Sequence, residues 1–207
     1  MPTTRTQRVK REESRMLLKS PRVVTPPASE PVSLSEAKGH VRVEITDDDA
    51  YIGDLLVAAR EWGENYQGRS WISRTLALTL DEFPTPPFRL PMGPVQSVES
   101  VKYTGSDGVE ATVDPALYYL DDAGRLCLAY GASWPSVTLR PYGGVAVTYV
   151  AGYGADAESV PRRFKQAVLL LVGHWYEHRE EVVTGTIVSR VPVAAVDLLS
   201  QDRVVPV

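Results

Sequence analysis

Three groups of residues have the types and spacing to do chemistry. The first is His174-Trp-Tyr-Glu177-His178, an H-x-x-E-H arrangement used in metal-dependent peptide hydrolysis. Histidines at i and i+4 share one helix face, so a metal pair is geometrically available. A catalytic zinc still takes three protein ligands, and the distant downstream glutamate such sites use is missing. Only Glu180 and Glu181 follow, within the next turn. His178 also falls on the same arc as Trp175, which points to a packed or interfacial histidine. The second group, Asp47-Asp48-Asp49, lacks the spacing and glycine of a calcium loop. The third, Cys127, lies in the alternating run Arg125-Leu-Cys-Leu-Ala and is expected as a buried strand thiol. Gly143, Gly144, Gly152 and Gly154 do not form a phosphate-binding loop. No serine sits in a nucleophile elbow, and His40 is the only other histidine. No catalytic residue, metal ligand or cofactor site is assigned, and the chain is not expected to be an enzyme.

Size and composition agree with that. The chain has 207 residues, 43% hydrophobic and 23% charged, enough for one sizeable core plus arms. No run approaches the ~20 apolar residues of a membrane span, and the N-terminus has no apolar signal region. A single cysteine rules out an internal disulfide, as befits folding in a reducing cytoplasm. The net charge of −4 is unevenly spread. Residues 1–22 carry seven bases, among them Arg5, Arg8, Lys10, Arg11 and Arg15, against two acids, leaving −9 for the remainder. A basic arm on an acidic body can touch nucleic acid or an acidic protein surface.

The element that positions the histidines is the stretch 161–181. Phe164, Val168, Leu171 and Trp175 recur at helical spacing, and Leu169, Val172 and Tyr176 form a second stripe beside them. Well over half the circumference is apolar, so the helix needs cover on two sides. One side is expected from its own domain and the other from a neighbouring subunit. Arg162, Arg163 and Lys165 at the start, and Glu177, Glu180 and Glu181 at the end, oppose the helix dipole, which suggests compensation from outside the helix. Val172, Trp175, Tyr176, Arg162, Arg163, Glu177 and Glu181 are therefore the expected subunit interface.

The remaining chain reads as α+β: a small helical bundle with an antiparallel β-rich insertion between its halves, and extended arms. Residues 1–30 form the basic arm, with a short helix near Arg11–Lys19 and a proline linker. Residues 31–69 are the first helical half. Ser33-Leu-Ser-Glu36 is a capping box for a helix to about His40, and Thr46 is the expected N-cap of a longer one. Ile52, Leu55, Leu56, Ala59, Trp62 and Tyr66 make its apolar face, and Gly68 stops it. Residues 70–154 hold the strands, beginning with alternating Leu76, Leu78 and Leu80, with turns at Asp107-Gly108 and Asp122-Ala-Gly124. Residues 155–202 complete the bundle, with a loop or short strand over Val182–Arg190 and a last helix from Pro192 to about Gln201. Residues 203–207 are an apolar extended tail, in which Val204, Val205 and Val207 suit strand addition to a partner.

Three blocks carry a family resemblance: Pro31-Val-Ser-Leu-Ser-Glu-Ala-Lys-Gly-His-Val-Arg-Val43, the Asp47–Asp49 helix to Tyr66-Gln-Gly-Arg69, and Pro161 through Leu169-Leu-Leu-Val-Gly-His-Trp-Tyr-Glu-His-Arg-Glu180. With Leu90-Pro-Met-Gly-Pro-Val-Gln-Ser-Val98 they resemble the head–tail connector, or adaptor, proteins of tailed phages, prophages and gene transfer agents. His178 departs from the polar residue expected there. The resemblance implies a ring, usually of twelve copies, beneath the portal protein at the head–tail interface of a virion assembled in the host cytoplasm. Such a ring joins the portal to head-completion or tail-terminator proteins and lines the passage for double-stranded DNA. The arm residues Arg5, Arg8, Lys10, Arg11 and Arg15, with the C-terminal valines, are the expected portal or DNA contacts. Two rival readings are a stopper or tail-terminator ring, and a sequence-independent DNA-binding packaging factor acting through the arm. For the histidines the expectation is concrete: elemental analysis of purified protein should find no stoichiometric zinc. Zinc lost on changing His174 or His178 to Ala would overturn it.

Overall fold

A computed structural model describes residues 21–178 and 191–204. The chain is α+β and divides into two compact units, one from residues up to Pro26 with Arg74–Ala151, the other from Pro27–Ser73 with Gly152 onward. The expected helix near Arg11–Lys19 and the Val182–Arg190 segment lie outside the described residues.

The β unit follows from alternation. In β2 (Arg74–Leu80), Leu76, Leu78 and Leu80 are buried while Thr79 is exposed. In β8 (Val145–Ala151) every second residue is buried, from Val145 to Ala151. The two strands pair antiparallel with Leu76 opposite Tyr149, Leu78 opposite Val147 and Leu80 opposite Val145. Register thus places both apolar sets on one face. The sheet runs β1-β2-β8-β4-β5, with β1 at Arg22–Thr25, β4 at Val95–Thr104 and β5 at Glu110–Thr112. A second sheet of β3 (Phe88–Arg89), β7 (Arg125–Leu128) and β6 (Tyr118–Leu120) adds Tyr118 and Leu126 to the core. The Tyr149 hydroxyl donates to the Pro91 carbonyl at 2.9 Å, and burial pushes its pKa up.

Both expected turns are present. At the second, Asp121 does the work: its carboxylate accepts from the main-chain N–H of Ala123 and Arg125, while Gly124 takes φ +72°. One strand was not foreseen. Arg22–Thr25, placed by sequence in the arm, pairs antiparallel with β2 as an edge strand.

The helical unit holds α1 (Leu34–Val41), α2 (Asp49–Gln67), α3 (Arg162–Glu177) and α4 (Val193–Ser200). The capping box forms: the Ser33 hydroxyl accepts from the Glu36 N–H, and the Glu36 carboxylate accepts from the Ser33 N–H at 2.8 Å. Those Ser33 donors hold the Glu36 carboxyl below its ordinary 4.5. Its contribution is complete above that value and is lost as pH falls through the lower folded one. Thr46 is not the N-cap of α2. Asp48 occupies that position without a side-chain cap bond, because the Thr46 carbonyl closes a turn onto the Asp49 N–H at 3.0 Å. Gly68, at φ +67°, ends α2 as expected. Pro161 caps α3 from just outside it rather than starting it.

The core of this unit is Ile52, Leu56 and Ala59 of α2, Phe164, Ala167, Val168, Leu171 and Val172 of α3, and Ala195 and Leu199 of α4, around Trp71 and Ile72. Leu171 is fully buried, so Leu171→Ala should cost about 2–5 kcal/mol by lost transfer energy and the cavity left. Urea unfolding of the isolated protein measures this. A loss below 1 kcal/mol would place Leu171 outside the core.

Candidate functional site

The surfaces and fastenings of α3 and of the segment after α4 carry most of the candidate residues. α3 packs against α1, α2 and α4 of its own chain. α4, short as it is, supplies Ala195 and Leu199 to that core, while Leu169 and Tyr176 of the second stripe stay half-buried. Val172 is fully buried within the chain and has no surface to give a partner, so it leaves the interface set. Trp175 and Tyr176 are half-buried against the same core. The Tyr176 hydroxyl donates to Asp48 Oδ2 at 2.5 Å, and its ring lies 6.2 Å from that of Tyr51. Arg162 and Glu177 are exposed. Glu181, Val205, Val207 and the arm residues Arg5, Arg8, Lys10, Arg11 and Arg15 lie outside the described residues.

At the basic end of α3, one of the charges opposing the dipole has a partner within the chain. Arg163 makes an ion pair with Asp202, and its guanidinium lies 5.2 Å over the Phe164 ring. Lys165 adds a smaller favourable field at the Glu36 carboxylate. At the other end His178 is exposed, rather than packed in the chain, and its Nδ1–H donates to the His174 carbonyl at 2.9 Å. The two imidazoles lie 4.6 Å apart. Among the described residues, no group of three His, Cys, Asp or Glu is placed to hold a metal ion.

Residues that sequence reasoning missed fasten the C-terminal segment. Gln67 Nε2 donates to the Leu199 carbonyl at 2.8 Å, and its Oε1 accepts from Trp71 Nε1 at 2.8 Å. The Gln67 carbonyl accepts from the Val204 N–H at 2.9 Å. Arg69 Nε donates to the Asp202 carbonyl at 2.8 Å, and the Arg203 guanidinium lies 4.8 Å over the Tyr66 ring. Val204, one of the expected partner contacts, is thus held to the end of α2 by its main chain. Behind this, the Glu64 carboxylate accepts from the Trp71 N–H at 2.7 Å and from Arg60 Nη1 at 2.9 Å. Arg60 Nε in turn donates to Glu30 at 2.8 Å. Burial works against the Arg60 charge, but Glu30 and Glu64 outweigh it.

A signal for these residues was in the sequence. Ile52, Leu56, Ala59, Arg60, Gly63, Glu64 and Gln67 are the buried residues of α2, one continuous helical face whose second half turns polar. Reading only apolar residues rotated the face toward Trp62 and Tyr66, which are half-buried and stacked on each other at 5.2 Å.

The family model described as "Head completion protein" matches residues 31–188. The chain belongs to the head completion protein family. No curated protein matches it. Among solved structures it is similar to a chain of the virion of a native gene transfer agent (GTA) particle, at 27% identity and TM-score 0.73, covering 90% of this chain and 96% of that one. It is also similar to a chain in the neck of the empty GTA particle solved with C6 symmetry, at 28% identity and TM-score 0.73, covering 91% and 97%. A chain in the neck of the native particle, solved with C12 symmetry, matches at 27% identity and TM-score 0.72, again over 91% and 97%.

The Gln67 fastening has a measurable consequence. Gln67→Leu removes the partners of Trp71 Nε1 and the Leu199 carbonyl in a buried site, at about 1–3 kcal/mol for each group left unpaired. Chemical denaturation should show that loss, together with faster amide exchange at Val204. Unchanged stability would mean that these groups find other partners.

Proposed function

We propose that this head completion protein is a non-catalytic structural connector at the head–tail interface of a virion. Copies form a ring, twelve by this reading, beneath the portal protein. The ring joins the portal to head-completion or tail-terminator proteins and surrounds the passage for double-stranded DNA. The observation that carries this is the similarity over nine-tenths of the chain to chains in the neck of a GTA particle, one of them solved with C12 symmetry.

Physical features support the reading. Outside the basic arm the chain is net acidic, which suits a conduit through which DNA must slide, since a basic lining would grip phosphates. Exposed Arg162, Arg163 and Glu177 of α3, and the half-buried Trp175 and Tyr176, remain for contacts between copies. Contacts of this kind are individually weak, and a closed ring multiplies them. The fastened Asp202–Val204 segment gives residues 205–207 a fixed point of departure toward a partner, with the portal as the assigned one. The basic arm is assigned to the portal or to DNA.

The mass of the protein bound to purified portal tests the ring directly. A twelve-copy complex is expected, and a bound monomer or dimer would remove the reading. Salt-sensitive DNA binding by the isolated protein without ring formation would favour the packaging-factor reading. For the tail, truncation after Val204 should leave thermal stability unchanged while particles fail to retain the protein. Normal retention would remove the case for tail docking.

A further inference from the structure

β1 is joined to its sheet in an unusual way. All four residues of Arg22–Thr25 are exposed, with Val23 at 42% and Val24 at 45%, and none belongs to the core of the β unit. The strand is held through its pairing with β2, Arg22 opposite Ala77, Val23 opposite Leu76 and Thr25 opposite Thr75, with an irregularity between Val23 and Thr25. Main-chain ladders of this kind are the same in every copy of a chain, because side-chain pockets do not select the partner.

Immediately after β1 the chain is fixed to the other unit. The Ser29 hydroxyl donates to the Ala155 carbonyl at 3.0 Å, Glu30 accepts from Arg60, and Val32 is buried in the helical core. Between these anchors lie only Pro26, Pro27 and Ala28, in no helix or strand, with Pro26 and Ala28 exposed. Proline has no N–H to donate, so the ladder ends at Thr25 whichever sheet receives it. β1 is thus an edge strand of one compact unit, delivered by a short linker rooted in the other.

We infer that β1 is exchanged between neighbouring copies in the assembled ring, Arg22–Thr25 of one copy forming the edge strand on β2 of the next. The inference rests on the ring reading above. Exchange of an identical element is a low-cost route to association. The bonds lost within a chain are remade between chains, so linker strain and local concentration decide the outcome. A neighbour held in the ring supplies an effective concentration on the order of mM across a short linker. Every copy gives one strand and receives one, so closure leaves no β2 edge unpaired.

The test uses the full chain in assembled particles, with Cys127→Ser, Arg22→Cys and Ala77→Cys combined. Opposed Cα atoms in an antiparallel pair lie about 4.5–5.5 Å apart, within disulfide reach. After oxidation and denaturation without reductant, assembled protein should run as a ladder of covalent multimers. Unassembled protein should run as disulfide-closed monomer. Monomers alone from assembled particles, closed or with free thiols, overturn the exchange. Mass measurement on the same sample separates the two readings: intact rings with monomers alone refute exchange and leave the ring standing, while absent rings refute both. Thr25→Cys with Thr75→Cys repeats the readout at the other end of the strand if the first pair fails to assemble.

Discussion

Burying the Trp71 indole sets off a sequence of demands that organises the helical unit. The ring stacks on Phe164 at 5.1 Å, and a Cβ at Gly63 would fall 2.2 Å from it, so α2 must carry glycine where the ring lies. The indole N–H needs an acceptor in a dry place, which Gln67 supplies. Gln67 then has donors to satisfy, and the end of α4 meets that need through the Leu199 carbonyl. The main-chain N–H of Trp71 takes the Glu64 carboxylate, a buried charge that requires Arg60, which in turn draws in Glu30. Each partner exists because leaving the previous one unpaired would cost on the order of 1–3 kcal/mol. Breaking the Arg60–Glu64 pair from one side would cost more, since a lone charge would remain inside.

This network binds together parts of the chain far apart in sequence. Glu30 precedes α1, Gln67 ends α2 and Leu199 lies in the last turn of α4, yet all three meet the surroundings of one side chain. The same linkage covers α3. α4, fastened to the end of α2, adds Ala195 and Leu199 to the core that α3 shares.

The β unit builds its core on register alone, with β2 and β8 placing their apolar sets together and bulges in β4 adjusting its pairing to β8. It leaves an edge occupied by a strand that shares none of that core. Where the helical unit is closed by side chains that recognise one partner each, this edge is closed by main chain, which recognises any extended segment. The two units therefore differ in how selective their fastenings are.

Periodicity alone determined much of this protein. Alternation in 76–80 and 145–151 specified strands, the 4-3-4 spacing from Phe164 specified α3, Ser33 and Glu36 fixed the start of α1, and Gly68 fixed the end of α2. These are local properties, set by backbone sterics and by groups a few residues apart. The motif blocks around 31–43 and 161–180 likewise carried the family. The tertiary structure decided what covers what. Val172 faces its own core, and nothing in residues 161–181 encodes where α1, α2 and α4 dock on α3. The true buried face of α2 includes Arg60, Glu64 and Gln67, which count as apolar-face residues only when Trp71, Leu199 and Glu30 arrive to satisfy them. The pairing of β1 with β2 joins residues about fifty positions apart through main-chain groups, which every sequence possesses and which leave no trace in side-chain pattern.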